Sequence, residues 1–335
     1  MSFQIQSFNL PVPNFAAFPN AENHKTRPDD VKFILKEPLP TTPLPAEIQK
    51  RFNSVVLPEK FQYFINEIQN LEIYEDDVWV FSFPRSGSNW TQEAVWQICK
   101  GVDTENEGKE TLRTRFPCIE ESSFVYELSN NLDARTLHVV KNLKRPRFIK
   151  THIPIAFLPT KLWEVKPKLV YVYREAKDAA VSWYHFLTDF LYQKTLEEFL
   201  EQYLNGEVRY GNYWDHYEQY HRLAKVYPNM KVLKYEEMKK DLKSTLLDLC
   251  TFFNKSLSND QIEKLLHHLS FENMKKNPAN NYCQLEDELK KVKPGHQFRM
   301  IRQGKVNTGK EEMSAEMIEK FDAKMRDMQR NLKEL

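Results

Sequence analysis

Asp77-Val78-Trp79-Val80-Phe81-Ser82-Phe83-Pro84-Arg85-Ser86-Gly87-Ser88-Asn89-Trp90-Thr91-Gln92-Glu93 reads as strand, turn and helix in succession. Val78 to Phe83 is an apolar run rich in β-branched and aromatic residues, as a buried strand is. Pro84 to Asn89 is a short polar turn. Beyond it, Trp90, Ala94, Val95 and Ile98 take helical spacing, with Gln92, Glu93 and Gln97 between them. A strand, a small-residue turn and a helix N-terminus together grip an anion, because the turn and first-turn N–H groups point at it. Arg85 adds a positive fork, and Ser86, Ser88 and Asn89 add short donors. The ligand this pattern suits is a phosphate or a sulfate ester. An ordinary strand-turn-helix with an incidental arginine fits the same stretch, so the remaining segments must decide. A Walker loop is excluded: it needs G-x-x-x-x-G-K-[ST], and the turn holds one glycine, Gly87.

The whole chain narrows the classes. Its 335 residues suffice for one large α/β domain or two small ones. With 48 Lys and Arg against 47 Asp and Glu, no net charge draws it to nucleic acid or a membrane, so any basic site is local. Aromatics at 13% are enough for a large core and an apolar pocket. No apolar run approaches the ~20 residues of a membrane span. Met1 to Leu10 lacks the features of a signal peptide. Cys99, Cys118, Cys250 and Cys283 are scattered, without metal-ligand spacing, and read as reduced thiols of a cytoplasmic protein.

Residues 1–46 carry Pro11, Pro13, Pro19, Pro28, Pro38, Pro40, Pro43 and Pro45 and form a lead-in arm to a single domain, 47–335. Phe3, Phe8, Phe15, Phe18 and Phe33 make that arm too apolar to be wholly solvated. Pro58 is expected to open a helix with Phe61, Phe64, Ile65 and Ile68 as its stripe. Gly101 to Arg115 reads as loop and Glu120 to Leu143 as helical pieces, whose Phe124, Tyr126 and Leu128 face a pocket or the core. Arg147 to Pro154 is extended, so Lys150 and His152 share a face. A cation beside a histidine is costly unless an anion sits between them. A lone histidine is nonetheless more often a satisfied core residue.

Lys168 to Tyr173 is a second strand, ending in Arg174, where open α/β sheets bind ligands. A helix follows over Ala179 to Leu187, with Asp178 as its expected N-cap and Ser182 one turn in. Thr195 to Tyr227 gives two helices. Met230 to Tyr235 is a third strand, and helices follow over Asp241 to Phe253 and Asp260 to Leu269. Phe271 and Met274 suit either a base sandwich or core packing. Met300 to Lys305 is a basic loop, and Ser314 to Leu332 an amphipathic helix.

Several of these segments resemble the motifs of the cytosolic sulfotransferases, in the family's order. The turn resembles its 5′-phosphosulfate loop, Y-P-K-S-G-T-T-W, with Arg85 for Lys and Asn89 for Thr. Lys150-Thr151-His152-Ile153-Pro154 matches K-T-H-L-P. Arg174-Glu175-Ala176-Lys177-Asp178 with Val181, Ser182, Tyr184, His185 and Phe186 matches R-N-P-K-D-x-x-V-S-x-Y-H-F, with Glu175-Ala176 for Asn-Pro. Tyr235-Glu236-Glu237-Met238 resembles Y-E-D-M, and Leu269 to Pro278 resembles T-S-F-x-x-M-K-x-N-P, with Leu269 for Thr. Met300-Ile301-Arg302-Gln303-Gly304 resembles F-x-R-K-G, with Gln303 for Lys, and Asn307-Thr308-Gly309 stands for G-D-W. Lys310, Ser314, Ala315 and Glu319 align with the dimer motif K-x-x-x-T-V-x-x-x-E, but Ser-Ala for Thr-Val degrades it, so a homodimer by that route is in question. The resemblance runs from about residue 47 to the C-terminus and is nearest to insect members, including the retinol dehydratase type.

The resemblance implies an α/β fold, a mainly parallel sheet flanked by helices, of the P-loop nucleotide-kinase-like sulfotransferase type. It implies 3′-phosphoadenosine 5′-phosphosulfate as donor and adenosine 3′,5′-bisphosphate as product, with no metal. Arg85, Ser86, Gly87, Ser88 and Asn89 hold the 5′-phosphosulfate. Trp90, Tyr235, Phe271 and Met274 hold the adenine. Arg174, Ser182 and Arg302 take the 3′-phosphate, with Gln303 and Gly304 in the cofactor-binding segment over it, where Gln303 for Lys loses one cationic contact. His152 is the general base, and Lys150 and Arg85 stabilise charge. The acceptor is a small hydrophobic alcohol or phenol, such as a sterol. Two rival readings use the same chain: a same-fold dehydratase of an allylic alcohol such as retinol, and a non-catalytic binder of a nucleotide or hydrophobic ligand. The missing Walker pattern disfavours a kinase.

Overall fold

The computed structural model describes residues 3–7, 30–35, 43–103, 110–121, 123, 136–189, 194–280 and 300–333. Its centre is a four-stranded parallel sheet of β4 (Val78–Phe81), β5 (Phe148–Thr151), β6 (Lys168–Tyr173) and β7 (Met230–Lys234), in the order β5-β4-β6-β7. Val78 pairs with both Phe148 and Lys168, and Phe81 with both Thr151 and Tyr171. A side-chain period of two sends alternate residues to opposite faces. Trp79, Phe81, Ile149, Leu169 and Tyr171 enter one core layer, and Val78, Val80, Phe148, Val170 and Val172 the other. Helices cover both faces, as a parallel sheet requires. A buried bidentate pair, Arg147 on Asp77 at 2.8 and 2.5 Å, fixes the starts of β4 and β5 together.

This register brings the C-terminal ends of all four strands to one edge. The segments that leave that edge begin at Ser82, His152, Arg174 and Tyr235, so four motifs of the candidate site start from the same line. The helix Ser88–Lys100 follows β4 and buries Thr91, Ala94, Val95 and Ile98. It is bounded by Gly87 and Gly101, both left-handed.

A second sheet is antiparallel, in the order β1-β2-β3: β1 (Phe3–Ser7), β2 (Asp30–Leu35) and β3 (Ser54–Pro58). Its first two strands lie in the Pro-rich arm and escaped the sequence reading, because prolines elsewhere in the arm masked two short alternating runs. Phe33 is buried with its ring edge-on to Phe61 at 5.4 Å. Pro58 ends β3 and stands at the N-cap of a 3-10 helix, not at the start of one long α-helix. A 3-10 turn, Glu59–Tyr63, and a short helix, Ile65–Gln69, replace the single helix expected there. Ser54-Val55-Val56-Leu57 prefers the strand, and a proline without an N–H is tolerated at its end.

Elsewhere the expected helices stand within a few residues, among them Leu196–Asn205, Tyr213–Val226, Leu242–Phe252, Asn259–His268 and Ala315–Lys333. The Ala176–Thr188 helix starts earlier than expected, with Glu175 at its N-cap, so Asp178 lies inside its first turn. Glu121, Ser123 and the helix Thr136–Asn142 are described, whereas Phe8, Phe15, Phe18, Cys283 and the trio Phe124, Tyr126 and Leu128 lie outside the described residues.

Candidate active site

His152 follows β5 directly, and most of its polar atoms are held. Its backbone N–H donates to Glu120 Oε1 at 2.8 Å. Its Nδ1 lies 2.6 Å from the Ser82 carbonyl. A carbonyl only accepts, so Nδ1 carries the proton and Nε2 keeps its lone pair. The Tyr210 ring stands edge-on to the imidazole at 5.2 Å. Burial first, and then the Lys150 ammonium, hold His152 well below the usual histidine pKa. Lys150 is buried, and among the described residues no acceptor bonds its side chain. The pair is a neutral base and a cation at one strand end.

Glu120 was not singled out from the sequence. It braces the base from behind, accepting from Thr151 Oγ1 at 2.8 Å as well as from the His152 amide. Its burial pushes its carboxyl pKa up. Nothing in its sequence surroundings sets it apart from neighbouring Glu121; only the fold turns it inward.

Three arginines gather on the other side of the loop. Arg85 has a φ of 65°, a left-handed conformation that an arginine rarely adopts. Its Nε donates to Ser182 Oγ at 3.3 Å and its terminal nitrogens reach the Met300 carbonyl at 2.8 Å and sulfur at 3.2 Å. The Phe186 ring lies 4.8 Å from its guanidinium carbon. Burial, then Arg174, and further Arg302, lower Arg85 to about 10. Arg174 donates to the Lys305 carbonyl at 2.7 Å and sits over the Tyr235 ring at 4.7 Å. Arg302 reaches Glu312 at 3.4 Å. Neighbouring guanidiniums repel unless an anion stands among them. The sequence separated Arg85 from Ser182 and Arg302 as parts of two subsites; the fold joins them in one basic cluster.

The residues present fit a phosphoadenosine group. Ser86 Oγ and Arg174 Nε are buried and have no hydrogen-bond partner among the described residues. No side chain caps the Ser88 helix, so its first-turn N–H groups stay open. Gly87 and Gly304 have left-handed backbones, and a Cβ would meet Tyr235 at 2.7 Å and Phe271 at 2.4 Å respectively. Both rings therefore lie on glycine backbone. Trp90 donates to the Leu269 carbonyl at 3.0 Å and is edge-on to Tyr235 at 5.6 Å. Asn89 is half-buried in the first turn. Met274 is buried in the packed layer, its sulfur on Asn280 at 3.3 Å, which agrees with the core reading left open for it. Gln303 is exposed. Among the described residues no group of three His, Cys, Asp or Glu is placed to hold a metal ion.

Gly87→Ala is expected to cost about 1–3 kcal/mol of stability from the forced left-handed backbone. A further penalty comes from displacing Tyr235. Thermal melting with and without adenosine 3′,5′-bisphosphate reads both, and the nucleotide should shift the variant far less than the parent.

Asp178 does not cap its own helix. It accepts the backbone N–H groups of Asn307 and Gly309, each at 2.8 Å, and lies 3.6 Å from Arg174. It thereby clamps the segment after Arg302 and Gly304 onto the Ala176–Thr188 helix. Gly309 allows the contact, since a Cβ there would meet Lys177 at 2.6 Å. Lys310 and Ser314 lie beyond that clamp. Ser314 Oγ accepts from the Met317 amide at 3.2 Å and so caps the start of the last helix.

The sulfotransferase domain model matches residues 75–335. The chain belongs to the cytosolic sulfotransferase family. As such it is an enzyme of the sulfuryl-transferring class. Sulfotransferase 1E1 of Mus musculus is 30% identical over 283 residues, covering 82% of this chain and 91% of the relative. Luciferin sulfotransferase of Photinus pyralis is 36% identical over 280 residues, covering 77% and 73%. Among solved structures, retinol dehydratase in complex with retinol and PAP superposes with a TM-score of 0.78 at 24% identity, covering 98% of this chain and 97% of that one. Mouse sulfotransferase 7A1 complexed with PAP gives 0.65 at 24% identity, covering 83% and 92%. These two show the fold. Among the described residues, no helix of the sulfotransferase is long and apolar enough to cross a membrane.

Proposed function

We propose that the chain transfers the sulfuryl group of 3′-phosphoadenosine 5′-phosphosulfate to the hydroxyl of a small hydrophobic alcohol or phenol in the cytoplasm. The observation that carries this reading is the held imidazole of His152, with Nε2 as its lone-pair nitrogen, beside the unpartnered Lys150 cation. Bound there, the donor supplies the sulfuryl group and a phosphate leaving group. His152 Nε2 takes the acceptor's hydroxyl proton. Lys150 and Arg85 hold the negative charge that builds on the transferring oxygens. Ser86, Gly87, Ser88 and Asn89 bind the 5′ end at the helix N-terminus, Trp90 and Phe271 flank the base, and Arg174, Ser182 and Arg302 read the 3′-phosphate. No residue forms a covalent intermediate; positioning and electrostatics carry the rate.

Adenosine 3′,5′-bisphosphate is expected to raise the melting temperature far more than AMP at equal concentration, because a ligand of the native state stabilises it by mass action. Equal shifts would reject a 3′-phosphate site and leave a general nucleotide binder. The acceptor class is tested with phenols, sterols and retinoids and labelled donor. A second reading, dehydration of an allylic alcohol, draws on the shared length of this chain and the retinol dehydratase structure. Mass spectrometry of the product separates the two: a sulfate ester supports transfer, an alkene supports dehydration.

A further inference from the structure

The helix Tyr213–Val226 touches neither the loop Pro84–Asn89 nor Lys150 through any hydrogen bond described above, yet one of its faces bonds the backbone on both sides of the site. Tyr213 donates its hydroxyl to the Arg174 carbonyl. His216 Nε2 lies 3.2 Å from the His152 carbonyl. Gln219 Oε1 accepts from the Ile155 amide at 2.7 Å, and Tyr220 donates to the Ile153 carbonyl at 2.8 Å. Spacings of three and four residues put these side chains on one helix face.

His216 is the member that grips the base residue itself. The carbonyl it meets only accepts, so Nε2 carries the proton. Nδ1 is then left to accept from the Tyr171 hydroxyl at 3.3 Å. A neutral imidazole satisfies both contacts at once. Burial holds the ring neutral, lowering it to about 3. The ring is also packed, 4.7 Å from Tyr220 and 5.3 Å from Phe83.

We propose that His216 is a positioning residue for the catalytic base, holding the His152 carbonyl as Glu120 holds its amide, so that Nε2 points where the acceptor hydroxyl arrives. Resting on the base role proposed for His152, it adds that the base's aim is set from the neighbouring helix as well as from the sheet. With the peptide groups on both sides of its Cα gripped and Nδ1 on Ser82, the imidazole has one orientation. Release of the carbonyl lets the peptide turn, loosens the Nδ1–H contact and mixes the tautomers.

Two polar variants separate positioning from mere packing. The side-chain nitrogen of His216→Gln reaches the place of Nε2, whereas that of His216→Asn reaches only the place of Nδ1, near Tyr171. In His216→Asn, turnover of 2-naphthol with labelled donor should fall roughly 10–100-fold, the scale of a misplaced reacting group. Binding of adenosine 3′,5′-bisphosphate, measured by calorimetry, should be unchanged. His216→Gln should stay within about threefold of the parent. The acceptor-independent reading is the long-range proton–nitrogen spectrum of the His152 ring. It should show the Nδ1–H tautomer in the parent and His216→Gln, and an average of tautomers in His216→Asn. Equal turnover and spectra for the two variants overturn the proposal, and so does joint loss of turnover and nucleotide binding in both. His152→Ala is measured alongside: near-parental turnover in that protein overturns the base assignment instead.

Discussion

Replacing His152 with alanine is expected to lower kcat roughly 10²–10⁴-fold, the usual worth of a positioned proton acceptor, with adenosine 3′,5′-bisphosphate affinity little changed. The split follows from geometry. His152 bonds Ser82, Glu120 and His216 and stands against Tyr210, whereas the arginine cluster gathers around Ser182 and Met300. Loss of the imidazole therefore leaves the nucleotide side intact. The pH profile gives an independent reading. Burial and Lys150 lower the His152 pKa, so the free-base form persists as pH falls through 6.5, its unperturbed value. The acid limb of kcat/KM should lie below that pH; a limb above it contradicts a neutral, Lys150-repelled base. Near-normal turnover in a folded His152→Ala protein sinks the assignment.

The parallel sheet was legible because strands buried on both faces must be nearly continuous apolar runs, and Val78 to Phe81 and Leu169 to Tyr173 are such runs. The antiparallel sheet was not. Its strands are short, lie near prolines and pair across a long separation, and Ser54 to Pro58 reads equally as a lead into a helix. Site residues that sit in a motif were found by type and spacing. Those that act on a motif from outside were missed: Glu120, Tyr210 and His216 carry no local signature, and only the fold turns them onto His152. Asp178 was noticed for the wrong partner. An aspartate before a helical run looks like its N-cap, but here it caps a segment more than a hundred residues away, at Asn307 and Gly309.

Arg85→Met is expected to lower kcat about 10²–10³-fold, the scale for one preorganised charge-stabilising donor. Arginine here replaces the family's lysine, and the two are not equivalent. Lysine presents a compact point charge, whereas arginine presents a planar fork that bonds several groups at once. The fork in this chain takes Ser182 through Nε and the Met300 carbonyl and sulfur through its terminal nitrogens. It therefore links the loop Pro84–Asn89 to the Ala176–Thr188 helix and to the segment carrying Arg302. Methionine keeps the stem but removes the charge and all of these links, so nucleotide affinity should fall along with turnover. Arg85→Lys restores the charge and should recover turnover in part, but a single ammonium cannot span Ser182 and Met300 together. Its deficit should appear in nucleotide affinity more than in kcat. Steady-state kinetics with separately measured bisphosphate binding resolves these cases. Parental turnover in Arg85→Met makes Arg85 a brace alone and leaves charge stabilisation to Lys150. A lysine variant as inactive as the methionine one means that the fork itself, and not its charge, sets this loop.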